Sequence, residues 1–250
     1  MLPEVFLDHP LAHRGLHDVL DGRPENSLAA IRAAVALGYG IEIDLQISKD
    51  GQAVVFHDYD LQRLCGVTGA VCQRTAEDLW NTPLIGGDEG IPTLRQVLDL
   101  VDGQVPLLIE VKDQDLRLGP DIGALEDATA SDLEAYDGPV AVMSFNPHSV
   151  ARLATRAPTI PRGLVTCNFD KDDWTLVPDE RRHELADIPD FYRTGSCFVS
   201  HQRDQLNSPA IAKLKSLDCP ILCWTIRSEE QEREARAVAD NITFEGYLPT

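Results

Sequence analysis

Short apolar runs rich in β-branched residues alternate with stretches of helical spacing almost from end to end of the chain. Leu11-Ala12-His13 is the first run. A Gly- and Pro-containing loop leads from it to Asn26-Ser27, where Ser27 predicts an N-cap. The Ala-rich segment 28–37 follows and closes at Gly38. Residues 41–47 then alternate strictly, and Lys49-Asp50-Gly51 predicts a turn into Ala53-Val54-Val55-Phe56. Residues 58–92 carry weaker periodicity and many glycines, which predicts an excursion. Thr93 predicts the cap of a helix bearing Leu94, Val97, Leu98 and Val101, which leads into the run 106–112. Further runs centre near residues 142, 164, 198 and 222, separated by helical stretches such as 147–155 and 209–217. A polar helix at 228–239 precedes the last run, 241–244.

Eight runs joined mostly by helices imply parallel strands with crossover connections. No linker-like stretch divides the 250 residues. The expectation is one α/β domain, a closed (β/α)8 TIM barrel with a small insertion at 58–92 after the second β/α unit. An open doubly wound sheet is the alternative that the same pattern allows.

Charge narrows the partners. Acidic residues number 41 against 22 basic ones, a formal charge of −19. Such a surface repels nucleic acid and anionic lipid, so an anionic substrate needs a local cationic site. The start, MLPEVFLDHP, has no basic region or apolar run of signal-peptide type, and no stretch nears the roughly 20 apolar residues of a membrane span. A cytoplasmic protein without stable membrane insertion and without a nucleic-acid partner is expected. Six cysteines in a chain this long are too sparse for a disulfide scaffold and read as reduced thiols. Cys219 and Cys223 are expected on one strand face. Cys65 and Cys72 lie in a loop-rich stretch.

Buried parallel strands should be near-continuous apolar runs. Two break that rule alike: one carries Glu42 and Asp44, the next helix-linked one Glu110 and Lys112, each pair two residues apart. Period two puts both members of a pair on one face, toward the barrel interior at the strand ends, where such barrels hold their chemistry. Like charges packed together need a counter-charge to stay ionised. Glu42, Asp44 and Glu110 make a hard, oxygen-rich site for a divalent cation, Mg²⁺ or Ca²⁺. The alternative is a structural ion pair between Lys112 and one carboxylate, the others lying in solvent.

Of seven histidines, His13 and His57 end apolar runs beside this cluster. The row His9, His13, His17 has helical spacing, but Pro10 and Gly15 disfavour a continuous helix. His148 and His183 read as solvent-facing, and His201 has no assigned role. Two imidazoles beside a cation site can accept and donate protons near neutral pH. Arg14 offers a planar fork to phosphate oxygens, and Lys112 a point charge. These are the parts that hydrolysis of a phosphate ester needs.

Ala12-His13-Arg14-Gly15, Pro24-Glu25-Asn26-Ser27, Glu42-Ile43-Asp44, Lys49-Asp50-Gly51 and Val55-Phe56-His57-Asp58 together resemble the glycerophosphodiester phosphodiesterase family. The resemblance continues through Ile91-Pro92-Thr93-Leu94, Ile109-Glu110-Val111-Lys112, Ser144-Phe145 and Trp224-Thr225, in the family's order over nearly the whole chain. It implies a (β/α)8 barrel with a small insertion, and cation-dependent cleavage of glycerophosphodiesters to glycerol 3-phosphate and an alcohol. It implies His13 and His57 as the acid–base pair and Glu42, Asp44 and Glu110 as metal ligands. Arg14 and Lys112 would be phosphate contacts, and Trp224 the aromatic shaping the glycerol side. For Trp224 a barrel-core role is the alternative. The stretch 63–69, Arg227 and Glu245 depart from the family pattern. Two other functions compete: a lysophospholipase D acting on single-chain lipids, and a non-catalytic phosphodiester-binding protein on the same scaffold. The former needs an exposed apolar lip, for which the acidic composition gives no sign.

Overall fold

The computed structural model describes residues 1–249. Its strands are β1 (Leu11–His13), β2 (Gly40–Ile47), β3 (Ala53–Val55), β4 (Leu107–Val111), β5 (Val140–Ser144), β6 (Arg162–Thr166), β7 (Phe198–Gln202), β8 (Ile221–Ile226) and β9 (Asn241–Phe244). They form one sheet in the order β1-β9-β8-β7-β6-β5-β4-β2-β3. β1 also pairs with β2, so eight parallel strands close into a barrel, with β3 appended antiparallel to β2. This is the (β/α)8 architecture that the alternation predicts, and the β1–β2 pairing excludes the open sheet.

Local signals act where the sequence places them. The Ser27 hydroxyl accepts from the Ala30 N–H at the start of the helix Leu28–Leu37, and Gly38 ends it in the left-handed conformation. Thr93 and Gln96 form a reciprocal capping box on the helix Leu94–Val101. The polar helix near the C-terminus is shorter than its pattern, Glu229–Ala235. A four-residue helix, Val5–Asp8, is too short to leave a periodic signal. No helix among the described residues is long and apolar enough to cross a membrane.

Period-two alternation divides the strand residues between two cores. Ile41, Ile43, Leu107, Ile109, Val140, Val142, Val199 and Ile221 face outward and pack in one cluster with the helices. Leu11, Leu108, Ala141, Val165, Phe198 and Leu222 fill the barrel interior with Phe6 of the N-terminal helix. Gly163 on β6 makes this filling fit, because a Cβ there would lie 2.4 Å from the Phe198 ring. Beyond this interior apolar layer, the C-terminal ends of β1, β2 and β4 carry His13, Glu42, Asp44 and Glu110.

The excursion lies inside the second unit, between its strand and its helix Leu94–Val101, and not after that unit as the sequence reading expects. It carries a small core of its own, with Phe56, Leu61, Leu79, Leu84 and Ile91. All six cysteines are free thiols, including Cys65 and Cys72. Cys219 and Cys223 are both buried in the outer core, but Cys219 precedes β8, so the two do not share a strand face as expected.

Candidate active site

Four interior positions of β2 run Gly40, Glu42, Asp44, Gln46, and β4 lays Glu110 directly beside Asp44 in register. His13, the last residue of β1, pairs in register with Glu42. Closure of the barrel therefore brings the ends of β1, β2 and β4 together. Glu42, Asp44 and Glu110 are all buried, and each offers an oxygen lying within 4.8 Å of the others. Lys112, one residue past β4, places Nζ 2.8 Å from Asp44 Oδ1 and 2.8 Å from Glu110 Oε1.

A sharp turn after β1 completes the cluster. Arg14 and Gly15 both have positive φ, 55° and 78°. A Cβ on Gly15 would stand 3.0 Å from Ala30, so only glycine lets the turn lie this close to the following helix. The turn presents the Arg14 backbone N–H to Glu42 Oε2 at 3.1 Å. It also sets the guanidinium between Asp44, 3.3 Å away, and Glu25, 2.6 Å away. Asn26 donates from Nδ2 to Asp44 Oδ2 at 2.9 Å.

These neighbours split the three acids. Burial works to raise the Asp44 pKa, but Lys112, His57 and Arg14 hold it well below the usual carboxylate range. Burial, with Asp44 and Glu110 beside it, pushes Glu42 well above that range. Lys112 stays charged despite its burial because Asp44 and Glu110 raise its pKa. Lys112 thus bridges two carboxylates rather than one, and Glu42 is buried rather than in solvent. Glu42 is the member that no cationic side chain bonds. A set of clustered carboxylate oxygens with one lacking a counter-charge fits a hard divalent cation.

The two imidazoles are backed alike. His57 Nδ1–H donates to Asp58 Oδ1 at 2.7 Å, and His13 Nδ1–H to Glu245 Oε2 at 2.5 Å. With Nδ1 so engaged, each ring keeps Nε2 for proton transfer, and both line one cavity of about 920 Å³ with Glu42, Asp44, Glu110 and Lys112. Burial lowers the His13 pKa, which Glu245 partly opposes. Arg63, from the excursion, donates to both Asp58 and Glu25. Arg227 donates to Glu245 at 2.7 Å, so two of the departures from the family pattern pair with one another. Glu245 and Arg63 have no role in the sequence reading. Interior alternation along β9, Asn241 then Thr243 then Glu245, is the signal that could have found Glu245.

Other candidates sort cleanly. The row of three histidines forms no helix: His9 is exposed and bonds Gly38, while His17 Nε2 lies 3.6 Å from Glu245. His201 faces outward, between the Thr166 hydroxyl and the Gln205 carbonyl, and burial lowers its pKa to about 4. Both its ring nitrogens are engaged by these partners, and it does not line the cavity. His148 is half-buried and His183 exposed. Trp224 is half-buried at the barrel mouth. Its Nε1–H donates to the Ser200 carbonyl at 3.1 Å, while its ring lines the cavity edge-on to Phe145.

Residues 13–241 match the model of the glycerophosphoryl diester phosphodiesterase family. The YhdW protein of Bacillus subtilis is 28% identical over 238 residues, which cover 91% of this chain and 90% of that protein. A glycerophosphodiester phosphodiesterase of Caldanaerobacter subterraneus is 29% identical over 245 residues, covering 93% and 91%. Among solved structures, a phosphodiesterase of Oleispira antarctica in complex with the product sn-glycerol-3-phosphate superposes with a TM-score of 0.76. That match has 23% identity and covers 96% of this chain and 93% of that one.

Proposed function

The chain belongs to the glycerophosphoryl diester phosphodiesterase family and is a phosphoric diester hydrolase, and from that premise we propose that it cleaves glycerophosphodiesters to glycerol 3-phosphate and an alcohol with His13 and His57 as acid and base. One observation carries this reading: two carboxylate-backed imidazoles face one cavity whose floor is a cluster of three buried acids and two cations. A binding protein would have no use for a paired proton donor and acceptor.

In this reading the attacking hydroxyl gives its proton to one imidazole: water yields glycerol 3-phosphate directly, whereas the glycerol 2-hydroxyl yields a cyclic phosphate that water then opens to glycerol 3-phosphate. The other imidazole protonates the alcohol oxygen as its bond to phosphorus breaks. Asp58 and Glu245 hold the rings in the tautomer that this exchange needs. Arg14 and Lys112 orient the phosphoryl oxygens. Glu42, Asp44 and Glu110 would hold Mg²⁺ or Ca²⁺, which supplies positive charge against those oxygens. The chain acts in this reading as one barrel domain on a small molecule, in the cytoplasm, where its free thiols stay reduced.

Incubation of the purified protein with glycerophosphocholine and Mg²⁺ or Ca²⁺ tests it. Glycerol 3-phosphate is the expected product, and EDTA should stop its release. Turnover indifferent to EDTA would remove the cation from the reading, and no release from any glycerophosphodiester would remove the reading itself.

A further inference from the structure

The acid–base and cationic groups occupy one side of the cavity, and the proposed reading meets the other side only at Trp224. That side is an apolar wall from four C-terminal strand ends and loops: Leu118 after β4, Phe145 after β5, Val165 on β6, Trp174 and Val177 beyond it, and Trp224 on β8. Leu118, Val165 and Val177 are buried. Phe145 sits 4.9 Å from Trp174 and 5.6 Å from Trp224, ring centre to ring centre. The wall is rigidly held. Asp113 accepts from the Leu118 N–H and from Asn146, and the Tyr59 hydroxyl of the excursion donates to the Asp113 carbonyl.

The wall runs out into solvent. Leu116 and Leu176 line the same cavity yet are 46% and 56% exposed at its mouth. Leu116 and Leu118 both hold left-handed backbone, φ 66° and 57°, a conformation side-chain-bearing residues avoid, and one leucine stays at the mouth while the other is buried. Large apolar side chains kept in water beside a catalytic centre mark a ligand groove. The volume, about 920 Å³, is near the top of the roughly 300–1,000 Å³ that holds a drug-sized ligand. A small polar ester would fill only the catalytic side.

We propose that the phosphodiester this enzyme takes carries a single long apolar chain, seated along the wall and leaving between Leu116 and Leu176. The proposal rests on the hydrolase reading above and names its substrate class. A small cationic alcohol is the competing occupant, since aromatic rings also attract quaternary ammonium groups. Such a group wants a carboxylate at depth; Asp60 and Asp173 line the cavity but are exposed, and the deeper Asp58 and Asp113 are engaged. Asp58 is held by His57 and Arg63, and Asp113 by backbone N–H groups and Asn146. The formal charge of −19 opposes docking on anionic bilayers, so the chain belongs to a dispersed single-chain molecule. Composition could not show this lip, because it is assembled from loops far apart in sequence.

Three substrates below their micelle concentrations separate the outcomes: glycerophosphocholine, a lysophosphatidylcholine with the chain on the glycerol, and a dodecyl ester of glycerophosphate with the chain on the alcohol. At least one chain-bearing ester should show kcat/KM higher by roughly ten-fold or more, mainly through KM, and which one tells the side on which the chain lies. Leu176→Asp and Trp174→Ala should each cut that preference by about ten-fold. Equal or better turnover of glycerophosphocholine overturns the proposal and leaves the hydrolase reading intact. A preference that both variants retain also overturns it, because the chain would then lie elsewhere. Turnover of none of the three overturns both.

Discussion

At the scale of single residues, the site separates like from like by environment. Glu42 has its pKa raised by burial and by Asp44 and Glu110, so it favours the folded chain while protonated and loses that contribution as pH rises through its folded value. Glu42→Gln should therefore raise the melting temperature of the cation-free protein at neutral pH. The gain should shrink as pH falls toward about 4.3, the ordinary range of a glutamate. The same variant should abolish any rise in melting temperature on adding Mg²⁺ or Ca²⁺. Asp44 has the opposite sign. Lys112, His57 and Arg14 hold its pKa down against burial, so its contribution is present above the ordinary carboxylate range and lost as pH falls. Asp44→Asn should destabilise at neutral pH by on the order of 3 kcal/mol, because it leaves Lys112 and Arg14 short of a buried partner. Melts with EDTA between pH 4 and 8 check both. His13→Ala and His57→Ala should each lower kcat by about 10²- to 10⁴-fold, read in a glycerol 3-phosphate release assay.

Elements decide how these side chains are held. The excursion does more than extend the chain: its Arg63 forks between Asp58 and Glu25, and so braces His57 on one side and Arg14 on the other. Arg63 is about half exposed, so Arg63→Met should cost under about 1 kcal/mol of stability, yet reduce kcat several-fold by loosening both partners. A melt beside a kinetic assay separates the two effects. Most elements were legible from local signals. Ser27, Gly38 and Thr93 start and stop helices by satisfying orphan backbone groups, a mechanism contained in a few neighbouring residues. The helix Val5–Asp8 was not, because four residues show no period. Arg63 and Glu245 escaped for another reason: Arg63 reaches Glu25 38 residues away and Glu245 reaches His13 232 residues away, pairings set by the tertiary fold.

At the scale of the whole molecule, barrel closure does what no element does alone. The pairing of β1 with β2 sets His13 beside Glu42, and that of β1 with β9 sets Glu245 behind His13. Closure depends on filling the interior below the site, where Gly163 gives way to Phe198. Gly163→Ala should overpack that layer and cost roughly 1–3 kcal/mol, measured by urea unfolding, with a fall in activity because the staves of the site shift with it.

By itself the sequence determined which side chains face inward. Two-residue periodicity is a property of the extended backbone, so Glu42, Asp44, Glu110 and Lys112 had to share the interior of any parallel barrel built from these runs. It also determined that such an interior, carrying like charges, calls for a counter-ion. Which charges meet was left to the tertiary structure: Lys112 with two acids, Glu42 with none of the cationic side chains, Arg227 with Glu245, and an apolar lip opposite the catalytic groups. Those pairings are set by the register of strands and the approach of loops far apart along the chain, distances that no local pattern encodes.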